Sequence, residues 1–285
     1  MAVGINGDLR PGFMYNGRMS TGSGPLWALL AYTLLSIGLV AMKKGIGWIG
    51  HRGPRDGTFR RSLLTWLAGF AATNLFIVPN ALALNRLAPH AVSAMAGWGV
   101  IVLVFLSRAW LRESLFPSDR IFAGLIVAAI AGLHLLEPGR GGSPPAAGRL
   151  AAAAVLPIIL LIPGLTRRPA RRTRALLFAA VSGLAGGLIV VSMEGLVSRF
   201  EFRLIEWAAS PLFYLYLACS LGAFLALQGA YKMGTMMRVG PAQYAGNILY
   251  PAICSWWVFG HRLHPLQWAA LMTITLGAAG ILRRH

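Results

Sequence analysis

The sequence predicts an all-α, polytopic membrane helical bundle of about nine transmembrane helices, in two inverted repeats (helices 1–4 and 6–9) with a connecting helix 5. Three observations predict this fold: nine apolar stretches of 17 to 23 residues, a bias of basic residues toward alternate loops, and similarity between the two halves of the chain. About 20 helical residues cross the ~30 Å hydrocarbon core of a bilayer. Because lipid offers no hydrogen bonds to bare backbone, such stretches must be helical.

The apolar stretches divide the chain into four parts. The predicted spans are, in order, 25–43, 62–84, 89–111, 118–136, 149–165, 175–197, 210–230, 238–259 and 265–282. Residues 1–24 are polar and glycine-rich, and we expect a flexible tail there. Residues 25–137 form the first repeat, 138–174 a linker that carries helix 5, and 175–285 the second repeat. No A-x-A-like cleavage site follows the first stretch, so it is predicted to be a true membrane helix.

The distribution of charge predicts how the helices are threaded. The net charge is +18, but only 12% of the residues are charged. The tail and loops 2–3, 4–5, 6–7 and 8–9 carry 8 of the 26 basic residues, and the other loops with the C-terminus carry 18. Because basic loops stay in the cytoplasm, we predict a cell (inner) membrane protein with its N-terminus outside and its C-terminus inside. The basic runs are interpreted as topology anchors that contact anionic lipid heads, and no nucleic-acid partner is expected. The main runs are Lys43–Lys44, Arg60–Arg61 and residues 167–174.

An internal repeat is visible at an offset of about 148 residues. Helix 3 ends in Glu113-Ser-Leu-Phe-Pro117 and helix 8 in His261-Arg-Leu-His-Pro265. The same offset aligns further landmarks: Gly132 with Gly280, Trp66 with Tyr214, and Asn80 with Gln228. Helices 1–4 then correspond to helices 6–9.

The second repeat is predicted to lie upside down relative to the first. A displacement of five helices, an odd number, inverts the second copy in the bilayer, which is a common construction of secondary transporters. Lys44, at the predicted cytoplasmic end of helix 1, corresponds to Glu194, toward the predicted outer end of helix 6. The loss of the basic residue on the outside agrees with this inversion.

These residues resemble a known family. The motifs that carry the resemblance are Met42-Lys-Lys-Gly45, Trp66-Leu-Ala-Gly69, Asn80-Ala-Leu-Ala83, Arg112-Glu113-Ser-Leu, Gln228-Gly-Ala-Tyr231, Val239-Gly-Pro-Ala242 and Tyr250-Pro251. Over residues 25–283 the chain is similar to the drug/metabolite transporter superfamily, in its EamA-like and NIPA-like branches. The resemblance implies inverted repeats around a central cavity, and transport of metabolites, drugs, amino acids, nucleotide sugars or, in the NIPA-like branch, magnesium.

Two departures from the family pattern stand out. The acidic residue that often closes the second repeat is replaced by His261. Nine predicted helices agree with the NIPA-like branch, whereas EamA-like proteins commonly have ten.

Uncharged polar residues inside the predicted helices are the candidates for a solute site. Gln243 and Asn247 are one turn apart, so they share one helix face. Tyr32, Thr33 and Ser36 supply hydroxyls on helix 1. The alternative for each residue is an interhelical hydrogen bond, worth about 0.6 kcal/mol. The predicted substrate-binding residues are Asn74, Asn80, Trp98, Gln228, Gln243, Asn247 and Tyr250.

Two carboxylates fall at or inside predicted helix ends. Glu194 is a candidate for proton or cation coupling, but its predicted shallow depth favours a hydrated carboxylate at the membrane surface. Glu113 lies next to Arg108 and Arg112, which suggests a local salt bridge. As the family's helix-end acid, Glu113 is predicted to be structural.

The leading hypothesis is a secondary transporter that moves a small organic solute by alternating access. The alternatives are a NIPA-like magnesium transporter and a non-transporting membrane subunit. We expect no enzymatic activity, no catalytic residues, no cofactor and no bound metal; Cys219 and Cys254 are expected to be packed thiols. The expected partners are a small-molecule solute and membrane lipids, and a homodimer is left open.

Overall fold

The computed structural model describes residues 23–49, 57–114, 116–135, 147–166, 170–200, 203–258, 260 and 263–284. Within these ranges the regular structure is entirely helical. The helices are α1 (Gly24–Ile49), α2 (Gly57–Leu75), α3 (Ile77–Leu84), α4 (Pro89–Ala94), α5 (Ala96–Leu111), α6 (Pro117–Leu135), α7 (Ala147–Thr166), α8 (Arg171–Phe200), α9 (Leu204–Ala208), α10 (Pro211–Met233), α11 (Met236–Trp257) and α12 (Pro265–Arg284). The protein is an all-α membrane protein, as predicted.

Each predicted span falls on helix, but two spans are interrupted. Span 62–84 is divided by a turn at Phe76 into α2 and α3, and span 89–111 by a turn at Met95 into α4 and α5. Pro79 accounts for the first interruption, because a proline lacks the N–H that would bond to the carbonyl four residues earlier, that of Leu75. The short helix α9 was not predicted.

Five segments are long and apolar enough to cross a membrane by length and composition. They are Gly24–Ile46, Phe59–Leu84, Pro89–Leu111, Arg171–Phe200 and Pro211–Met233. The other four predicted spans are helical but lie outside this set, so the nine-span layout stays a prediction. Residues 1–22 of the predicted tail, part of the 138–174 linker and His261 lie outside the described residues.

Outward-facing side chains are strongly apolar. Leu221, Leu225 and Leu276 are 61%, 60% and 68% exposed. In water such a surface would be costly, whereas lipid tails solvate it. The exposed apolar surface therefore agrees with a bundle embedded in a membrane.

Glycines lie at two close helix crossings. A methyl group at Gly38 of α1 would lie 2.3 Å from the Thr73 hydroxyl oxygen and 2.7 Å from the Gly69 carbonyl oxygen of α2. A methyl group at Gly183 of α8 would lie 2.1 Å from the Gln243 carbonyl oxygen of α11. Small residues let membrane helices approach this closely. Close packing of the backbones then stabilises their association, because the hydrophobic effect does not act between helices in lipid.

The helices follow a regular pairing. α1 packs against α2, α3 and α5, and α8 packs against α10 and α11. α6 packs against α12, α11 packs against α4 and α5, and α7 lies against α8. Most buried side chains of α1, α3, α4, α5 and α11 belong to one continuous core, and a smaller core joins α7, α8 and α11.

Candidate functional site

A buried hydroxyl cluster lies where α1, α5 and α11 meet. The Ser36 hydroxyl lies 2.7 Å from the Tyr244 hydroxyl and 2.8 Å from the Gly99 carbonyl oxygen. Gly99 is needed here, because a Cβ at that position would lie 2.8 Å from the Tyr244 hydroxyl oxygen and 2.9 Å from its ring. The cluster thus joins the two halves of the chain through side chains that are 0% exposed.

Aromatic rings surround these hydroxyls. The Tyr32 ring lies 5.5 Å from the Phe76 ring, edge to face, and 6.4 Å from the Tyr244 ring. Within the described part of the chain, the hydroxyls of Tyr32 and Tyr231 are buried and have no hydrogen-bond partner. A buried polar group without a partner costs about 1–3 kcal/mol, so these hydroxyls are available to a bound water or solute.

Trp98 and Thr33 lie at one side of this cluster. The Trp98 indole N–H donates to the Thr33 hydroxyl oxygen over 2.9 Å, and both side chains are half-buried. Gly97, which precedes Trp98, packs against Ile126 of α6 and Ile274 of α12. The glycines on either side of Trp98 thus allow neighbouring helices to approach α5 closely.

Gln243 and Asn247 lie together on the face of α11 that packs against α8. Gln243 is 8% and Asn247 5% exposed. Among the described residues, the amide oxygens of both side chains and the Ser182 hydroxyl have no hydrogen-bond partner. This second polar group lies against the glycines of α8, since a methyl group at Gly186 would lie 3.1 Å from Asn247 Oδ1.

Tyr250, one turn further along α11, is tied down. Its hydroxyl donates to the Ala153 carbonyl oxygen of α7. α11 continues as one helix through Pro241 and Pro251. Tyr250 thus holds the connecting helix α7 against the second half.

Asn80 of α3 and Glu194 of α8 lie where these two helices pack together, at the end of the bundle opposite to Lys43. Asn80 is 0% exposed, and its amide donates to Met193 Sδ over 3.4 Å. Glu194, the next residue, is 7% exposed, and α8 continues six residues beyond it to Phe200. The hydrated surface carboxylate favoured by the sequence is wrong, because α8 packs there against α3 and α4.

Gln228 of α10 lies apart from the central hydroxyls. Its Oε1 is 3.5 Å from the Trp66 indole nitrogen, and its Nε2 is 3.6 Å from Met42 Sδ. Trp66 also packs with Phe70 and Phe224, at ring separations of 5.6 and 6.1 Å. Gln228 therefore contributes to the contact among α1, α2 and α10.

Asn74 does not join any of these groups. It is exposed, and its amide donates to the Phe70 carbonyl oxygen of its own helix over 2.8 Å. Its assignment to the solute site is corrected: Asn74 lies on the outer face of α2 and satisfies its amide locally.

Glu113 binds the start of α11. α5 ends at Leu111, and the next residue, Arg112, adopts a left-handed conformation with φ of 56°. The Glu113 carboxylate then accepts from the amides of Met236 and Met237, at 2.9 and 2.8 Å. A carboxylate on the first amides of a helix satisfies donors that lack an intrahelical partner and complements the helix dipole. This contact replaces the local arginine pairing suggested by the sequence.

Lys43 binds the end of α10. Its ammonium donates to the carbonyl oxygens of Tyr231 and Gly234, the latter over 2.8 Å, and lies 5.9 Å from the Tyr231 ring centre. Lys44 beside it is exposed. The sequence predicted that both lysines are topology anchors. Lys43 instead donates hydrogen bonds to backbone carbonyl oxygens at the end of another helix.

Tyr231 and Tyr244 were missed as candidates. Tyr231 belongs to the Gln228-Gly-Ala-Tyr motif, and Tyr244 directly follows Gln243. The available signal was that each tyrosine closely follows a residue predicted to bind solute, Gln228 or Gln243. Adjacent residues project about 100° apart on a helix, so Tyr244 reaches α1 while Gln243 reaches α8.

Neither metal ligation nor a disulfide is evident in the described ranges. No group of three or more His, Cys, Asp or Glu side chains could hold a metal ion there. Cys219 and Cys254 are free thiols, and Cys254 is buried.

Two surface clefts are lined by residues that the structure describes. One, of about 280 Å³, is lined by Arg171, Arg172, Ala175, Leu176, Met233, Gly234 and Arg238. The other, of about 180 Å³, lies between α5 and α6. At the centre of the described bundle, Tyr32, Ser36 and Tyr244 are each 0% exposed.

Comparison with protein-family models, curated proteins and solved structures gave no match.

Proposed function

We propose that this protein is a secondary transporter that moves a small organic solute across the membrane by alternating access between two inverted four-helix repeats. The observation that carries this proposal is the pairing of the helices. If α1, α2–α3, α4–α5 and α6 correspond to α8, α10, α11 and α12, then each contact of α1 in the first half has an equivalent for α8 in the second.

The contacts between the halves support the same correspondence. α6 packs against α12, and α4–α5 pack against α11, so each of these pairs consists of equivalent helices. Two units related by a twofold axis bring equivalent elements together at that axis. A pseudo-twofold axis in the membrane plane is the arrangement from which alternating access arises.

The ends of the helices support inversion. Lys43 of α1, Glu113 beyond α5 and Arg171 of α8 all bind the segment between Tyr231 and Met237. The start of α1 lies at the other end, since a methyl group at Gly24 would be 2.9 Å from Leu87 Cγ. The ends of α1 and α5, the start of α8 and the turn between α10 and α11 thus meet at one end. We assign this end to the cytoplasm of the inner membrane from the basic residues of the sequence there.

The central polar groups define the solute class. Tyr32, Tyr244 and Ser36 offer hydroxyls, and Gln243 and Asn247 offer amides that both donate and accept. Polar groups within lipid depth are costly, so a cluster contributed by both halves favours a binding role over isolated interhelical bonds. We propose a neutral or anionic organic solute with hydroxyl or amide groups, held between the tyrosine rings.

Glu194 is the proposed coupling residue. A buried carboxylate binds or releases a proton or a cation when the protein around it opens to water. It lies on α8 next to Met193, which contacts Asn80 of the first half. Opening of that end would change the environment of the carboxylate.

Transport by purified protein in liposomes tests the proposal. Flux of a metabolite and drug panel, with magnesium as one member, is measured with and without a proton gradient. We expect gradient-dependent flux of at least one organic solute, and we expect Glu194→Gln to abolish the gradient dependence while Glu206→Gln, an exposed carboxylate paired with Arg203, leaves it intact.

Other outcomes would change the assignment. Flux of magnesium alone would favour the NIPA-like alternative. No flux of any panel member, with a folded protein verified by its melting transition, would favour a non-transporting membrane subunit and contradict the proposal.

A further inference from the structure

The basic cleft at the start of α8 combines a defined volume with three arginines. The cleft of about 280 Å³ is lined by Arg171, Arg172 and Arg238, with Ala175, Leu176, Met233 and Gly234 as its apolar and backbone walls. Drug-sized ligands occupy pockets of about 300–1,000 Å³. The cleft is therefore the size of a small anionic group, and it lies apart from the central hydroxyls.

The arginines lie at helix N-termini, where the helix dipole disfavours positive charge. The first turn of α8 contains Arg171, Arg172 and Arg174 and no acidic residue. Arg238 is the third residue of α11, which also begins without an acidic residue. The positive end of a helix dipole favours anions and disfavours cations. Two helix starts that both carry arginine concentrate positive charge in the cleft, and a bound anion would compensate it.

The arginines differ in how they are already engaged. The Arg171 guanidinium donates to the Lys232 carbonyl oxygen over 2.9 Å. Arg238 Nε is buried and, among the described residues, has no hydrogen-bond partner. Arg172 is exposed at the mouth of the cleft. Glu113, the carboxylate at the start of α11, already places both oxygens on the α11 amides.

We infer that this cleft binds a phosphate group, either that of an anionic lipid headgroup or a soluble phosphate. Guanidinium forks match phosphate oxygens with two parallel hydrogen bonds, which ammonium groups cannot do. The apolar wall of Ala175, Leu176 and Met233 accommodates the carbon atoms next to the phosphate. The site does not depend on transport, and it is distinct from the general attraction of basic loops to anionic membranes.

Binding is tested on the full chain purified in neutral detergent. Native mass spectrometry measures retention of phosphatidylglycerol against phosphatidylcholine, and calorimetry measures inorganic phosphate without added lipid. We expect saturable binding that Arg172→Gln and Arg238→Gln each weaken about tenfold or more, because each removes a charge-assisted hydrogen bond. The matched control is Arg60→Gln, an exposed arginine at the predicted cytoplasmic end outside the cleft, which should change affinity by less than about twofold.

The two binding measurements distinguish a lipid headgroup from a soluble phosphate. Binding of phosphatidylglycerol but not inorganic phosphate identifies a headgroup site, and saturable binding of inorganic phosphate identifies a soluble ligand; both support the inference. Equal weakening by Arg60→Gln, or no saturable binding of either probe, would overturn it. Because Arg172 is exposed, its variant remains informative even where Arg238→Gln fails to fold.

Discussion

Lys43 and Glu113, both from the first half of the chain, hold opposite sides of one turn in the second half. Lys43 binds carbonyl oxygens in the last turn of α10 and just beyond it, and Glu113 binds the first amides of α11. Only Gly234 and Thr235 lie between these helices. Each charge complements the dipole of the helix end that it touches. The pair therefore fastens the two halves together at one end of the bundle, where alternating access would require them to separate.

Replacement of Glu113 by Gln should destabilise the protein. The neutral amide retains one acceptor oxygen but loses the charge and one of the two bonds to α11, at a cost of about 1–2 kcal/mol. The measurement is the midpoint of thermal or denaturant unfolding in detergent. Glu206→Gln is the control, because its carboxylate lies in an exposed pair with Arg203 at 3.0 Å. An equal effect of the two variants would refute the capping role of Glu113.

Lys43→Met and Lys44→Met form a matched pair of neighbouring substitutions. Lys43→Met leaves the carbonyl oxygens of Tyr231 and Gly234 without their ammonium donor, whereas Lys44 is exposed. We expect faster amide hydrogen exchange at the turn between α10 and α11 in the first variant only, because local opening there loses a stabilising contact. Unchanged exchange in Lys43→Met would show that the turn is held by other contacts.

Tyr244→Phe removes one hydroxyl from the centre and keeps the ring. Ser36 retains the carbonyl oxygens of Tyr32 and Gly99, each at 2.8 Å. The stability cost should therefore be small, about 1 kcal/mol, while flux of the transported solute should fall more strongly. Tyr214→Phe is the control, since Tyr214 is 62% exposed. Normal flux in Tyr244→Phe liposomes would remove this hydroxyl from the solute site.

Gly183→Ala tests the close crossing of α8 and α11. Its methyl group would lie 2.1 Å from the Gln243 carbonyl oxygen, so two backbones must separate. We expect a loss of about 1–3 kcal/mol or more, as for other overpacked cores. Gly222→Ala should be neutral or stabilising by about 0.5–1 kcal/mol, because its added methyl group meets nothing within 4 Å. Unfolding midpoints of the two variants measure this difference, and similar values would contradict the crossing.

Terminal tags test the threading of the chain. Alkaline phosphatase fused to the N-terminus should be active, and a fluorescent protein fused to the C-terminus should fluoresce, because the nine predicted spans would place the two ends on opposite sides with basic loops inside. Two ends facing the same compartment would remove the inverted repeat, and with it the alternating-access proposal.

Local sequence patterns predicted the helices well, because lipid leaves the backbone no alternative to helical hydrogen bonds. They also placed Gln243 and Asn247 on one face, since residues four apart must share one. The turns that divide α2 from α3 and α4 from α5 were not predicted, although Pro79 was available as a signal.

Which face of a helix points inward could not be read from the sequence. In a membrane helix the outer face is as apolar as the inner one, so no polar stripe marks the surface. Asn74 and Asn80 look alike in the sequence, but the first is exposed and the second is 0% exposed. Likewise nothing local distinguishes Lys43 from Lys44.

By itself, the sequence determined that the chain is an apolar, all-helical membrane protein, because hydropathy and helix formation depend on composition and on neighbours along the chain. Tertiary structure alone decided that Ser36 meets Tyr244, that Lys43 and Glu113 hold one turn, and that three arginines surround one cleft. These contacts join residues far apart in the sequence, and their geometry follows from how glycine-lined helices cross.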